Sequence, residues 1–370
     1  MIRIVSAPMR AAVMRAVGRP LTIEEVEIAE PAPFEVLVDV AAAGLCHSDL
    51  RFLEGSFDHR LPTVLGHEVA GVVRDVGESV TEAAPGDHVV MSISVSCGSC
   101  SLCLGGKTHL CVDKGSTRRA PKEPSRLSIG GRPITQFLDL SGFAEQMLVH
   151  ESAVATIHDD VPFHHAAVLG CGVATGLGAV LNTANVKAGE SVAVIGCGGV
   201  GLSAVQGARI AGAGQVIAID ALPGKLELAR ALGATDVLTA DDPDLVSRVV
   251  ALADGLGVDH VIEAVGRTET IERGFSMTRP GGTTTVVGLV PEGSSVSIST
   301  DDLFYERKLQ GSVMGSNEFK ADVPRYIEMY RDGRLNLGDM VTRRIRLDQI
   351  NEGFESMATG EDPRILIEFE

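Results

Sequence analysis

At 370 residues the chain exceeds what one hydrophobic core holds and requires two domains. Its composition, 45% hydrophobic and 22% charged without low-complexity tracts, is that of a globular protein. A formal charge of −17 argues against nucleic acid and anionic membrane surfaces as partners, and no run approaches the roughly 18 apolar residues of a membrane span. Residues 1–8 lack the apolar run of a signal peptide and read as an extension before a strand that opens at Met9. A cytoplasmic location follows, and in that reducing compartment the seven cysteines read as metal ligands rather than disulfides. Short β-type runs at 35–40, 68–76, 88–93 and 144–149, broken by Gly, Pro and Asp, predict a β-rich domain with long functional loops. From residue 191 the pattern changes: strands at 191–195, 215–220, 236–239, 259–263, 283–287 and 309–313 alternate with helical runs at 200–211, 225–232, 245–253 and 270–277. Such alternation predicts an α/β unit with a parallel sheet covered on both faces. From about 314 the alternation stops and the chain returns to the first domain. The boundaries read as 1–171, 172–313 and 314–370.

The strand at 191–195 runs into Gly196-Cys-Gly198-Gly199-Val200-Gly201 and then into a helix, the context in which a G-x-G-x-x-G run binds a dinucleotide. Glycines there let the backbone approach a pyrophosphate seated on the helix amino terminus. Asp220, nineteen residues beyond Gly201, ends the second strand where the ribose-binding acid belongs. It would repel a 2′-phosphate, and Ala221-Leu222-Pro223 rather than an Arg follows it immediately, so NAD is preferred over NADP.

Cys97, Cys100, Cys103 and Cys111 form a C-x2-C-x2-C-x7-C loop (97–111), a closed thiolate shell suited to tetrahedral structural zinc. Cys46, His67-Glu68 and Cys171 are dispersed. Taken singly, each has a bland reading as a small core residue or a hydrogen-bonded histidine. Taken together they offer two thiolates and an imidazole, a set that leaves a fourth zinc position open for water or substrate.

These motifs, with Gly44-Leu-Cys46-His47-Ser48-Asp49, Gly66-His67-Glu68 and Gly170-Cys171-Gly-Val-Ala-Thr175-Gly, stand in the order of the zinc-containing medium-chain alcohol dehydrogenases, which the chain resembles from Met9 to Glu370. The resemblance implies a GroES-like catalytic domain built from both chain ends, a doubly wound Rossmann domain between them, and an active site in the interdomain cleft. It implies two zinc ions per chain, with Cys46, His67 and Cys171 as catalytic ligands and Glu68 as a carboxylate that can approach the metal. Asp49 is expected to orient His67, and Ser48 to take the alcohol proton. Thr175, Lys225 and Arg364 are expected at nicotinamide, adenosine ribose and pyrophosphate. The activity implied is hydride transfer between NAD and a primary alcohol or aldehyde, in a homo-oligomer with a dimer favoured.

The chain departs from many relatives at His47 and Arg51, where they carry Arg and a relay-ending His. Arg cannot act as a base, so His47 is expected to meet the pyrophosphate or end the proton relay. Ile93, Phe137 and Leu138 are expected to line an apolar pocket fitting a medium-chain or aromatic alcohol. The basic segment between Cys111 and Phe137 reads as a solvated loop, or alternatively as a pocket-mouth or subunit contact. Three other readings stay open: a thiol-adduct-dependent formaldehyde dehydrogenase, disfavoured by Phe57 where an acid is expected; a nicotinoprotein that retains its NAD; and a non-catalytic zinc protein.

Overall fold

The structure, a computed structural model, describes residues 8–120, 122–360, 362 and 364–369; the extension expected at 1–8 lies, but for Pro8, outside them. The chain divides into two compact units. The first contains the described residues through Cys171 together with Glu318–Met329 and those from Leu337 onward; the second contains Gly172–Asn317 and Tyr330–Asn336. The return to the first unit thus begins at Glu318 rather than 314. It is interrupted at Tyr330–Asn336, where the Gln206 side chain accepts from the Asn336 amide and donates to its carbonyl.

The first unit is β-rich. Its seven-stranded sheet is organised around Glu35–Gly44, a strand whose inner residues Val36, Leu37 and Val38 are fully buried. Along one edge it pairs antiparallel with Glu68–Val76; along the other, Gln146–His150 covers its first half and Ile365–Glu368 its last three residues. A six-stranded sheet built on Met9–Met14 and Thr22–Ile28 packs into the same core through Ala11, Val13, Val26 and Ile28. Thr22–Ile28 is absent from the sequence reading. Its Thr-Ile-Glu-Glu-Val-Glu-Ile run is rich in Glu, a weak strand former, and only Val26 and Ile28 are buried.

The segment expected as a solvated basic loop is tied down. Arg119 and Arg126 converge on the buried Glu35, with Arg126 Nε 2.6 Å from Oε1 and Arg119 Nη2 2.5 Å from Oε2. Burial would push the Glu35 carboxyl up, but the two guanidinium groups hold it below its ordinary value.

The second unit is a six-stranded parallel sheet whose strands, numbered along the chain, lie in the order 3-2-1-4-5-6. Ser191–Ile195 is at its centre, with Val192, Ala193 and Val194 fully buried. A buried Val contributes about 1.5–3 kcal/mol, which explains why the central strands read as continuous apolar runs. This is the doubly wound fold expected from the alternation. The central strand ends at the glycine loop, at the carboxyl edge where such sheets bind ligands.

Candidate active site

Four donor-bearing side chains of the first unit meet although the chain separates them widely. The long strand ends at Gly44, and antiparallel register sets Gly44 opposite Glu68. Cys46, two residues past one strand end, therefore faces His67, one residue before the other. Cys171 arrives through Gly170, where any Cβ would lie 2.4 Å from the Met91 carbonyl oxygen, so only glycine lets the chain pass this close. The result is Cys46, His67, Glu68 and Cys171 with ligand atoms all within 4.8 Å of one another.

The surroundings fit a cation. The Cys46 thiol is held well below its ordinary pKa, chiefly by a hydrogen bond from Cys171 and, against burial, by His67. Asp49 is fully buried and accepts from the Cys46 amide at 3.2 Å, the Gly66 amide at 3.1 Å and His67 Nδ1 at 3.1 Å. A carboxylate taking three donors fixes the His67 proton on Nδ1 and leaves Nε2 for a metal. Ser48 Oγ lies 3.1 Å from Cys46 Sγ and 3.2 Å from His67 Nε2. Burial pushes the Glu68 carboxyl up to about 7, against the pull of Arg364.

Arg364 meets the donor cluster: its guanidinium is buried and its Nη1 is 2.5 Å from Glu68 Oε2. Nothing in the sequence links two residues 296 positions apart. His47 is exposed on the first turn of the helix His47–Leu53, which also carries Arg51.

The second cluster is local. Sulfurs of Cys97, Cys100, Cys103 and Cys111 lie within 4.8 Å, and all seven cysteines of the chain are free thiols. Amide N–H groups of Ser99 and Cys100 pull the Cys97 thiol down to about 6, while burial pushes Cys103 up to about 12. The lobe is anchored by Glu318, which accepts from the Thr108 amide at 2.9 Å and its hydroxyl at 2.8 Å, a contact the sequence reading missed.

Beside the first cluster stands an array of rings. Phe137 is fully buried, its centroid 5.9 Å from His67 and 4.8 Å from Phe52. Phe52 in turn meets Phe57 at 5.3 Å and His59 at 5.9 Å. Of these only Phe137 and Phe57 were singled out in the sequence. Phe137 opens a turn in which three non-glycine residues take left-handed backbone angles: Leu138 (φ 51°), Asp139 (φ 62°) and Ser141 (φ 71°). For a residue such as Leu that conformation costs on the order of 1–2 kcal/mol.

In the second unit the glycine loop fits a dinucleotide phosphate. A Cβ on Gly201 would stand 1.6 Å from the Gly196 carbonyl oxygen, and the helix Gly199–Ile210 begins with no side chain capping its amides. Asp220 accepts from the Cys197 amide at 2.7 Å and the Leu222 amide at 2.9 Å, so it also shapes the loop. Lys225 is half-buried on the helix Pro223–Leu232, and the buried Thr175 donates to Met314 Sδ at 3.6 Å.

Comparisons with known proteins agree with this architecture. The alcohol dehydrogenase GroES-like domain family matches residues 32–159, and the zinc-binding dehydrogenase family matches residues 199–330. The S-(hydroxymethyl)glutathione dehydrogenase of Synechocystis sp. is 40% identical over 97% of this chain and 99% of its own. Among solved structures, the benzyl alcohol dehydrogenase of Acinetobacter calcoaceticus superposes with a TM-score of 0.93 at 31% identity, covering 99% of this chain and 100% of that one. A Sinorhizobium meliloti protein of the zinc-binding dehydrogenase kind, solved with NADP, gives 0.83 at 31% identity, covering 98% and 100%. With a thiol-rich donor cluster in one unit and a dinucleotide loop in the other, the chain belongs to the zinc-containing medium-chain dehydrogenase/reductase family and is an alcohol dehydrogenase-type oxidoreductase.

Proposed function

We propose that the enzyme transfers a hydride between NAD and a primary alcohol or aldehyde with an aromatic or medium-length apolar body. The observation that carries this reading is the meeting of Cys46, His67 and Cys171 with the Ser48 hydroxyl beside two of them. Zinc held by those three ligands supplies a Lewis acid that makes a substrate hydroxyl more acidic. Ser48 accepts the proton that the alcohol gives up as it passes its own hydroxyl proton outward, and Asp49 keeps His67 in the tautomer that ligates. Phe52 and Phe57, half-buried and backed by the buried Phe137, exclude water and receive the apolar body of the substrate. Cys97, Cys100, Cys103 and Cys111 hold a second, structural zinc. Gly196, Gly198, Gly199, Val200 and Gly201 cradle the pyrophosphate, while Asp220 and Lys225 accept the adenosine ribose and Thr175 meets the nicotinamide. Asp220 selects NAD by repelling a 2′-phosphate.

The protein is a homodimer in this reading. The edge strand Lys308–Gly311 follows Phe304 and Tyr305, which are 82% and 61% exposed; an edge with no further strand beside it among the described residues, flanked by exposed rings, favours pairing with a second copy. Free thiols committed to metal favour a reducing, cytoplasmic setting.

A second reading is favoured by the relatives named S-(hydroxymethyl)glutathione dehydrogenase. A charged peptide thiol adduct would need polar partners, and the Phe57–Phe52 pair offers none. One experiment decides both: an alcohol and aldehyde panel with NAD(H) and NADP(H) on metal-quantified protein, with formaldehyde run with and without glutathione. Oxidation of benzyl alcohol with NAD supports the first reading. Formaldehyde turnover only in the presence of glutathione replaces it with the second.

A further inference from the structure

The turn at 136–141 holds three non-glycine residues at positive φ, and such a run persists only where its surroundings over-determine it. Two sets of contacts do so. Within the turn, Ser141 Oγ accepts from the Phe137 amide at 2.9 Å and donates to the Val64 carbonyl at 2.8 Å. Gln136 Nε2 donates to the Leu140 and Leu148 carbonyls at 3.1 and 2.9 Å. From outside, the basic segment supplies two arginines. Arg126, seated on Glu35, donates Nη1 to Gln136 Oε1 at 3.0 Å. Arg118 grips Asp139 with a two-pronged contact, Nε to Oδ1 at 2.7 Å and Nη2 to Oδ2 at 2.9 Å.

We propose that Arg118 and Arg126 are positioning residues for substrate selection: they hold the 136–141 turn in its left-handed form and so keep the Phe137 ring on His67 and Leu138 beside it. This rests on the aromatic-alcohol reading above. It assigns the basic segment a task at the pocket wall rather than in solvent. Surface ion pairs are ordinarily weak. This one is bidentate, its carboxylate is only 14% exposed, and it acts on a backbone that would otherwise relax. Released, the turn relaxes toward negative φ, which turns Leu138 and loosens Phe137 against Phe52. A flat ring that depends on that wall then loses more than a two-carbon chain that does not reach it.

Arg126 also neutralises Glu35, so the test falls on the Arg118–Asp139 arm. Arg118→Met removes the grip without burying a charge. Asp139→Asn keeps a residue that tolerates the left-handed region while losing the carboxylate. Both are compared with the parent as zinc- and NAD-loaded enzyme, reading KM and kcat for benzyl alcohol and ethanol, affinity of the NADH complex for the non-reducible N-benzylformamide, and amide exchange across 136–141. The expected result is a fall in the benzyl-to-ethanol ratio of kcat/KM of about tenfold, the scale of one charge-assisted hydrogen bond. It enters through KM, with weaker N-benzylformamide binding, faster exchange of the turn and partial recovery in Arg118→Lys. An active parent whose two variants keep the ratio and the N-benzylformamide affinity overturns the inference alone. A parent inert toward every alcohol and aldehyde overturns the function and the inference together.

Discussion

Arg364 donates to Glu68 beside Cys46, His67 and Cys171, with neither side chain more than 5% exposed. Removing one partner of such a pair leaves the other charge buried, which typically costs about 3–5 kcal/mol. Arg364→Met is expected to lower the melting temperature markedly, and the double variant Glu68→Gln/Arg364→Met to recover part of that loss. Thermal unfolding of the parent, Glu68→Gln, Arg364→Met and the double variant checks it. A double variant as unstable as the sum of its parts would mean that the two side chains do not act as a pair.

The two cysteine clusters are expected to answer differently to substitution. Cys46→Ser and His67→Ala should each lose zinc from one site and abolish turnover while the chain stays folded. Cys103→Ser should lower stability, because metal-binding energy at a closed four-thiolate site is folding energy. Zinc per chain, measured beside the melting temperature, distinguishes the cases; zinc-free protein with full activity would refute the assignment.

Asp220 shapes the glycine loop by accepting the Cys197 and Leu222 amides, beside the ribose role proposed for it. Asp220→Ser with Ala221→Arg should therefore raise NADP use relative to NAD and also weaken NAD itself, through a slacker loop. Asp220→Asn keeps an acceptor and should spare more of the NAD affinity. Dissociation constants for both nucleotides measure this, and a parent that already prefers NADP contradicts the role given to Asp220.

Glu35 gives a pH signature. Burial raises its carboxyl pKa, but Arg119 and Arg126 outweigh that and leave it depressed in the folded protein. A depressed carboxylate stabilises above its unfolded pKa of about 4.3, and the contribution is lost as pH falls through the lower folded value. Glu35→Gln should cost about 3 kcal/mol near neutrality. The gap in melting temperature between parent and variant should close below about pH 4. A gap that stays constant from pH 7 to pH 3 would show that the loss has another origin.

What was legible in the sequence followed from locality. The four-cysteine loop and the glycine run carry their chemistry within fifteen and six residues, so spacing alone reveals them. The doubly wound sheet was legible for a similar reason: its central strands are buried on both faces and read as unbroken apolar runs. The dispersed donor set was recognisable only as a set. Its convergence depends on the Gly44–Glu68 register and on a carbonyl that leaves room for glycine alone at 170. Arg364 was legible as a charge but not as the partner of Glu68, and the basic segment as a loop but not as the anchor of Glu35. Pairings across so many residues are set by how strands stack, which no local pattern records.

Ile365–Glu368 pairs with the last residues of the strand that leads into Cys46, and Arg364 stands at its start. Cys46, His67 and Cys171 leave the ribosome long before that strand. A chain halted just short of residue 364 would carry all three donors, and Glu68 with them, yet lack both the strand that lies along the approach to Cys46 and the guanidinium that pairs with Glu68.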